Sequence, residues 1–103
     1  MARKKFSTLS ETMLYVLMSF SQGDMCGADI ANFVKQKSKG RIKIGPGTLY
    51  TILSDFKEEK LIDDLYMDGK RRIYRITEKG RRLYYQELER LKQCVMDAAG
   101  EVV

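Results

Sequence analysis

One hairpin signal stands in a chain whose other segments follow the period of a helix, and this combination constrains the fold most. Asp68-Gly69 separates two candidate strands, Leu61 to Met67 and Arg71 to Thr77. The dipeptide supplies the positive φ angles of a type I′ turn, so the two segments are predicted to form a hairpin. A chain of 103 residues holds one domain, in which the hairpin must pack on helices. We therefore predict a mainly α fold of the α+β type.

Two helices are predicted in the first third of the chain. Thr8 and Glu11 have the spacing of a capping box, in which each side chain reaches the other residue's backbone N–H. An apolar face at helical period follows and ends at Ser21-Gln22-Gly23. Asp24 is the predicted N-cap of a second helix that runs to about Ser38.

A third helix is predicted from about Pro46 to Lys60, because proline fits the first helical position without losing a hydrogen bond. One side of this helix is apolar, whereas the other side is polar and carries few acidic residues before Asp55. The predicted buried stripe consists of Leu49, Ile52, Leu53 and Phe56.

The last helix is predicted from Glu78 to Ala99, with Thr77 as its N-cap and Gly100 as its stop signal. Its 22 residues correspond to about 33 Å at 1.5 Å per residue, which exceeds what so small a body needs. Apolar residues recur along it at alternating spacings of four and three, the heptad pattern of a helix that pairs with a second copy. The seam could instead pack on the first helix of its own chain. The predicted dimer-interface residues are Tyr84, Leu88, Leu91, Val95 and Ala98.

Three helices followed by a hairpin is the element order of a winged helix-turn-helix, in which the helix before the hairpin lies in the DNA major groove. The hairpin tip, Asp68 to Arg72, is rich in cations, which can contact phosphates and so supply most nucleic-acid affinity. A net charge of +5 also favours an anionic partner. We predict a winged-helix DNA-binding domain over 1–77 and a C-terminal dimerisation helix over 78–103, in one compact unit. The predicted DNA-binding residues are Lys43, Thr48, Tyr50, Thr51, Ser54, Lys57, Lys70, Arg71, Arg72 and Tyr74.

The composition argues against a metal site, a cofactor and an enzyme. The chain has no histidine, the commonest general base and metal ligand. Cys26 and Cys94 lie too far apart for a CxxC pair and cannot make a zinc site alone. Asp63-Asp64 on a strand would point to opposite faces, so it makes no acid–base pair.

The sequence also predicts a location. Two cysteines without a disulfide framework suit a reduced, cytoplasmic setting. The basic start of the chain is not followed by the apolar run of a signal peptide, and no run reaches the 18 apolar residues of a membrane span. We predict a cytoplasmic protein with no membrane partner.

Several segments of the sequence closely resemble motifs of the PadR family of bacterial transcriptional regulators. They are Ile44-Gly45-Pro46-Gly47-Thr48-Leu49-Tyr50, Leu53, Glu59-Lys60-Leu61-Ile62 and Arg72-Ile73-Tyr74-Arg75-Ile76-Thr77-Glu78-Lys79-Gly80. The likeness runs from about Ser10 to Leu91. The resemblance implies a bacterial, cytoplasmic repressor that binds double-stranded operator DNA as a homodimer and is released by a small effector. The single C-terminal helix looks like that of the smaller PadR subfamily.

The chain departs from the family pattern at several positions. Gly27-Ala28 stands where the family often has Gly-Tyr, Gly45 stands where it often has serine, and Ile73 replaces the first tyrosine of the wing. Some relatives bind planar drugs between aromatic residues at the dimer centre, commonly tryptophan. This chain has no tryptophan, so that activity is not carried over.

Two alternatives stay open at the level of sequence. A winged-helix dimer could bind protein rather than DNA, and it would then lack the steep salt dependence of phosphate contacts. The five basic residues between Lys35 and Lys43 could form a solvated loop, and the cations of the hairpin tip could serve only its solubility.

Overall fold

The computed structural model describes residues 9–101, which form four α-helices, one 3-10 turn and a three-stranded antiparallel sheet. The winged helix-turn-helix order predicted from the sequence is confirmed. In chain order the elements are α1 (Glu11–Ser19), the 3-10 turn (Phe20–Gln22), β1 (Met25–Cys26), α2 (Gly27–Lys37), α3 (Pro46–Glu58), β2 (Ile62–Asp68), β3 (Arg71–Ile76) and α4 (Glu78–Ala99).

The start of α1 is set by a serine. Ser10 is the N-cap, and its side-chain oxygen accepts a hydrogen bond of 3.1 Å from the backbone N–H of Met13. The predicted cap, Thr8, lies outside the described residues. Glu11 instead occupies the first turn of the helix and binds Arg41 at 2.6 Å, across to the loop that follows α2.

The prediction that Asp24 caps the second helix is wrong. The residues Met25–Cys26 form a short strand, β1, and Cys26 is the N-cap of α2. Both residues are buried, because Met25 pairs with Tyr74 and Cys26 with Ile73 of β3. The sheet order is β1-β3-β2, so the hairpin gains a third strand that the sequence analysis did not predict.

The turn of the hairpin is displaced by one residue from its predicted place. Asp68 pairs with Arg71 in the ladder, so Gly69 and Lys70 are the two turn residues. The positive φ is confined to Gly69, at 65°, as in a type II′ turn rather than the predicted type I′. Asp68 stays in the strand, where its carboxylate binds the Arg71 guanidinium at 2.9 Å.

The core lies between the first three helices and one face of the sheet. Helix α3 was predicted to reach Lys60 but ends at Glu58, because Lys60 adopts a left-handed φ of 62° and turns the chain into β2. The largest fully buried apolar side chains are Phe56, Leu17, Ile30, Leu53, Leu61, Ile62, Val16 and Val34.

The start of α4 is fastened to the beginning of β2. Thr77 caps the helix by accepting from the N–H of Gly80 at 3.0 Å, and its own hydroxyl donates to the Lys60 carbonyl at 2.7 Å. The Thr77 N–H donates to the Leu61 carbonyl at 2.9 Å. Gly80 lies against that same carbonyl so closely that a Cβ at this position would overlap the oxygen. A glycine is therefore required where α4 passes the Leu61 carbonyl.

A buried carboxylate joins α4 to the chain just before α1. Glu87 is 4% exposed, and its carboxylate accepts a hydrogen bond of 2.8 Å from the backbone N–H of Leu9. The guanidinium of Arg90 donates two more, at 3.0 and 3.2 Å. The Arg90 contact, together with the Leu9 N–H, lowers the pKa of Glu87 although burial opposes the shift. This charge is fully partnered and fixes the first half of α4 on the body.

Candidate nucleic-acid interface

Helix α3 divides into a buried stripe and an exposed polar face. Leu49, Leu53 and Phe56 are at most 3% exposed, as the sequence predicted, and Ile52 is half-buried. The polar face points away from the core and is open to solvent along its length. Its exposed members are Thr48, Tyr50, Thr51, Ser54 and Lys57.

Tyr50 projects from this face beside Gly27, the first residue of α2. It is 55% exposed, although its ring lies over Gly27, where a Cβ would come within 3.2 Å of the tyrosine hydroxyl. The missing side chain at Gly27 therefore leaves room for the Tyr50 ring at the edge of the face. A phenol in this place can donate a hydrogen bond to a phosphate oxygen. Thr51 differs, because its hydroxyl donates at 3.0 Å to the Gly47 carbonyl one turn earlier.

The hairpin of β2 and β3 forms the wing, and the cations of its tip lie in the turn and on both faces of the hairpin. Lys70 is exposed in the turn itself. Arg71 is half exposed, bound to Asp68, and lies 3.9 Å from the sulfur of Cys26. The hydrogen bond to Asp68 raises the pKa of Arg71, as the neighbouring negative charge favours the protonated form. Arg71 and Arg72 are consecutive residues of β3, so their side chains project from opposite faces of the strand.

A carboxylate joins the polar face of α3 to the wing. Oδ2 of Asp64, on β2, binds Nζ of Lys57 at 2.6 Å and Nη1 of Arg72 at 2.9 Å. The hydrogen bond from Lys57 is the main cause of a lowered pKa of Asp64, and the charge of Arg72 adds to it. Lys57 and Arg72 also line an open groove of about 540 Å³, in which Tyr50, Ser54 and Lys57 come from α3 and Arg72 comes from β3.

Sequence reasoning missed Asp64 as part of this site and treated it only as half of an acidic pair. Strand alternation counted back from the turn would have placed Asp64 opposite Arg75, but a register shift between Asp64 and Tyr66 moves it by one residue. Asp64 pairs with Tyr74, and Arg72 lies two residues before Tyr74, so the carboxylate and the guanidinium share one face of the hairpin. Asp63 points to the other face, where it approaches Arg75 at 3.8 Å.

Two of the predicted DNA-binding residues, Tyr74 and Lys43, lie outside the exposed face of α3 and the wing tip. Tyr74 is 5% exposed and belongs to the core, and burial raises the pKa of its hydroxyl. Tyr74 lines the groove but is almost wholly buried, so it offers little surface to a phosphate. Lys43 is exposed in the loop before α3. In the same loop Arg41 is engaged by Glu11, so the basic segment is partly an ion-paired structural element.

The predicted heptad seam splits at the middle of α4. Tyr84 and Leu88 are half-buried against their own core, close to α1, as the alternative reading of the seam required. The later positions are open: Leu91 is 38% and Val95 68% exposed, and Ala98 is exposed as well. An uncovered apolar stripe therefore begins at Leu91.

The described part of the chain offers little for other chemistry. Within residues 9–101 no three His, Cys, Asp or Glu side chains come together as a metal site. None of the helices in that range is long and apolar enough to cross a bilayer. Cys26 is buried and Cys94 exposed, and neither forms a disulfide with the other.

The family follows from a match over most of the chain. The model of the transcriptional regulator PadR-like family matches residues 13–87, which include α3, the wing and the buried half of α4. The chain belongs to the PadR-like family. It is therefore a DNA-binding transcriptional regulator and not an enzyme, as the resemblance implied. No curated protein shows significant sequence similarity to it.

Solved structures of regulators share the PadR-like winged-helix fold of this chain. A transcriptional regulator from Clostridium thermocellum superposes with a TM-score of 0.77 at 23% identity, over 93% of this chain and 100% of its own. A PadR family transcription regulator from Clostridium difficile gives 0.68 at 20% identity, over 89% and 100%. BpsR of Bordetella bronchiseptica, whose DNA binding is regulated by 6-hydroxynicotinic acid, gives 0.71 at 18%, over 96% and 67%. At these identities the likeness concerns the fold alone.

Proposed function

We propose that this PadR-like regulator is a homodimeric repressor that binds an inverted-repeat operator, with α3 in the major groove and the wing on the DNA backbone. One observation carries the proposal. The exposed polar face of α3 and Arg72 of the wing line a single groove, and Lys57 and Arg72 meet at Asp64 beside it. A helix and a cationic tip on one side of the molecule suit the adjoining groove and backbone of one duplex.

The proposed contacts divide by chemistry. Cations and the exposed phenol would bind phosphates and so fix the register of the protein on the duplex. The short hydroxyl side chains Thr48, Thr51 and Ser54 would meet base edges, since they lie on the exposed face of α3 and can both donate and accept. The proposed phosphate contacts are Lys43, Tyr50, Lys57, Lys70, Arg71 and Arg72.

The open stripe on α4 supports the dimer. Leu91, Val95 and Ala98 are uncovered in the single chain, and burying apolar surface is the main driving force for association. A second copy bearing the same stripe would cover it in a two-fold arrangement, which an inverted repeat would mirror. Repression, release by a small effector and a bacterial cytoplasmic location rest on the family resemblance and are part of the proposal.

Selection of bound duplexes from a random library tests this function. The expected result is an enriched motif with two-fold symmetry, whose half-sites are about one helical turn apart, 34–36 Å, or a multiple of it. Recovery of unenriched sequence, or of one asymmetric site bound by a single chain, would contradict the proposal. A protein-binding module would be recognised in the same experiment, since any weak electrostatic retention of DNA by it would enrich no motif.

A further inference from the structure

The convergence at Asp64 has a consequence for how tightly the protein holds DNA. Lys57 comes from α3 and Arg72 from the wing, yet both contact the same oxygen, Oδ2 of Asp64. The exposed fractions of the three side chains are 43%, 49% and 32%, so the cluster lies at the surface and solvent reaches it. A phosphate that approached the groove would meet two cations that an anion already holds.

The carboxylate and a DNA phosphate compete for the same donors. Both are anionic oxygen acceptors that form charge-assisted hydrogen bonds with ammonium and guanidinium groups. While Asp64 keeps its contacts, the two cations contribute one net positive charge instead of two. Because phosphate affinity comes from counterions released by neutralising cations, an internal anion lowers the number of phosphates that the surface can bind.

We propose that Asp64 is an internal competitor of DNA phosphate, which masks Lys57 and Arg72 and thereby restrains the affinity of the protein for any duplex. This inference rests on the proposed DNA-contact surface. Phosphate contacts carry no sequence information, so the restraint acts equally on operator and on random DNA. The base contacts of α3 therefore make up a larger fraction of the binding free energy on an operator than they would without Asp64.

The neighbouring carboxylate provides a matched control. Asp63 is the preceding residue on the same strand, and its replacement by asparagine changes the net charge by the same amount. It points to the opposite face of the sheet and approaches only Arg75 among the described ion pairs, at 3.8 Å. A comparison of Asp64→Asn with Asp63→Asn therefore separates the local release of two cations from a general change in net charge.

The test is a titration of wild type, Asp64→Asn and Asp63→Asn on a random duplex and on a selected one, between 50 and 200 mM salt. Asp64→Asn is expected to bind both duplexes several-fold more tightly at the low end of this range. Its plot of log affinity against log salt should steepen by about 0.9 for each phosphate contact regained. The gain should accordingly shrink about threefold per regained contact by 200 mM. Asp64→Glu, which keeps the charge, should stay close to wild type.

A second measurement compares the loss of one cation in two backgrounds, with and without the Asp64 carboxylate. Lys57→Gln in the wild-type background removes a masked cation and should weaken binding little. The same change in the Asp64→Asn background removes a free cation and should cancel much of the gain.

The competitor role is overturned if Asp64→Asn gains no more DNA affinity than Asp63→Asn. It is overturned as well if Asp64→Asn binds DNA more weakly than wild type, because Asp64 would then position the two cations. It is also overturned if Lys57→Gln alone costs wild type a full phosphate contact. Failure of the contact surface gives a different pattern. In that case Lys57→Gln and Arg72→Gln leave binding unchanged in every background, although the wild-type protein still selects a duplex.

Discussion

Replacement of Gly80 by alanine tests the joint between the wing and the terminal helix. Alanine is the best helix former, and in an open helical position the change from glycine stabilises a protein by about 1 kcal/mol. Gly80 is buried in the first turn of α4, where an added Cβ would overlap the backbone carbonyl oxygen of Leu61 and approach Ile76. The obstacle is backbone, and it is already fixed by the hydrogen bond from Thr77 at 2.9 Å.

The expected magnitude follows from these opposing terms. Overpacking of a close contact costs about 1–3 kcal/mol, and the upper part of that range applies because a backbone group cannot rotate away. After subtraction of the propensity gain, Gly80→Ala should lower the free energy of unfolding by about 1–2 kcal/mol. In a domain of this size the midpoint of thermal unfolding would fall by about 4–8 °C for each kcal/mol.

Thermal unfolding at one fixed protein concentration measures this change, since the midpoint of a dimer would depend on concentration. Gly47→Ala is the control: Gly47 is in the first turn of α3, and an added Cβ there would meet nothing within 4 Å. The control should be neutral or slightly stabilising. A Gly80→Ala protein as stable as the control would refute the argument from the Leu61 carbonyl.

Three further predictions concern the buried charge, the dimer and the division of DNA contacts. Glu87→Gln should destabilise the fold by about 1–2 kcal/mol at about pH 7. Because the folded-state pKa of Glu87 is lowered, its contribution to stability is present above the unfolded pKa of about 4.3 and is lost as the pH falls through the folded-state pKa. Urea unfolding curves of the two proteins should therefore converge in acid, and a stability difference that persists there would contradict the charge-based account. Leu91→Asp should yield a monomer or a much weaker dimer by sedimentation, since association would bury an unpaired carboxylate, and a tight dimer would place the interface elsewhere. Ser54→Ala should cost about 1–3 kcal/mol of binding free energy on the selected duplex and less on random DNA, whereas Lys70→Ala should weaken binding to both duplexes alike. Equal losses for both variants on both duplexes would refute this division between base and phosphate contacts.

The parts of the fold that the sequence predicts are those that local chemistry decides. The cap at Thr77 and the bounds of α4 follow from side chains that act within one or two turns. The stripe of α3 follows from helical period together with the proline at its start. In each case the residues that determine the element lie inside it or next to it.

The parts that sequence reasoning missed depend on distant partners. The strand Met25–Cys26 exists because β3, far along the chain, pairs with it, and two residues are too few to show a period. Glu87 is buried because the Leu9 N–H and the Arg90 side chain satisfy it, although its residue type predicts an exposed position. Within the candidate site, the polar face of α3 was predictable, whereas the burial of Tyr74 depends on how the sheet packs.

The central claim is that the exposed face of α3 and the wing tip together form the DNA-binding surface. Amide chemical shifts, followed by NMR as a selected duplex is added, test it most directly because every element of so small a chain reports separately. The account predicts that the largest changes fall in α3, including Ser54, and at Gly69 and Lys70 of the turn, while the stretch around Asp24 at the start of β1 changes little. Changes concentrated around Asp24, with α3 and the turn unaffected, would contradict it.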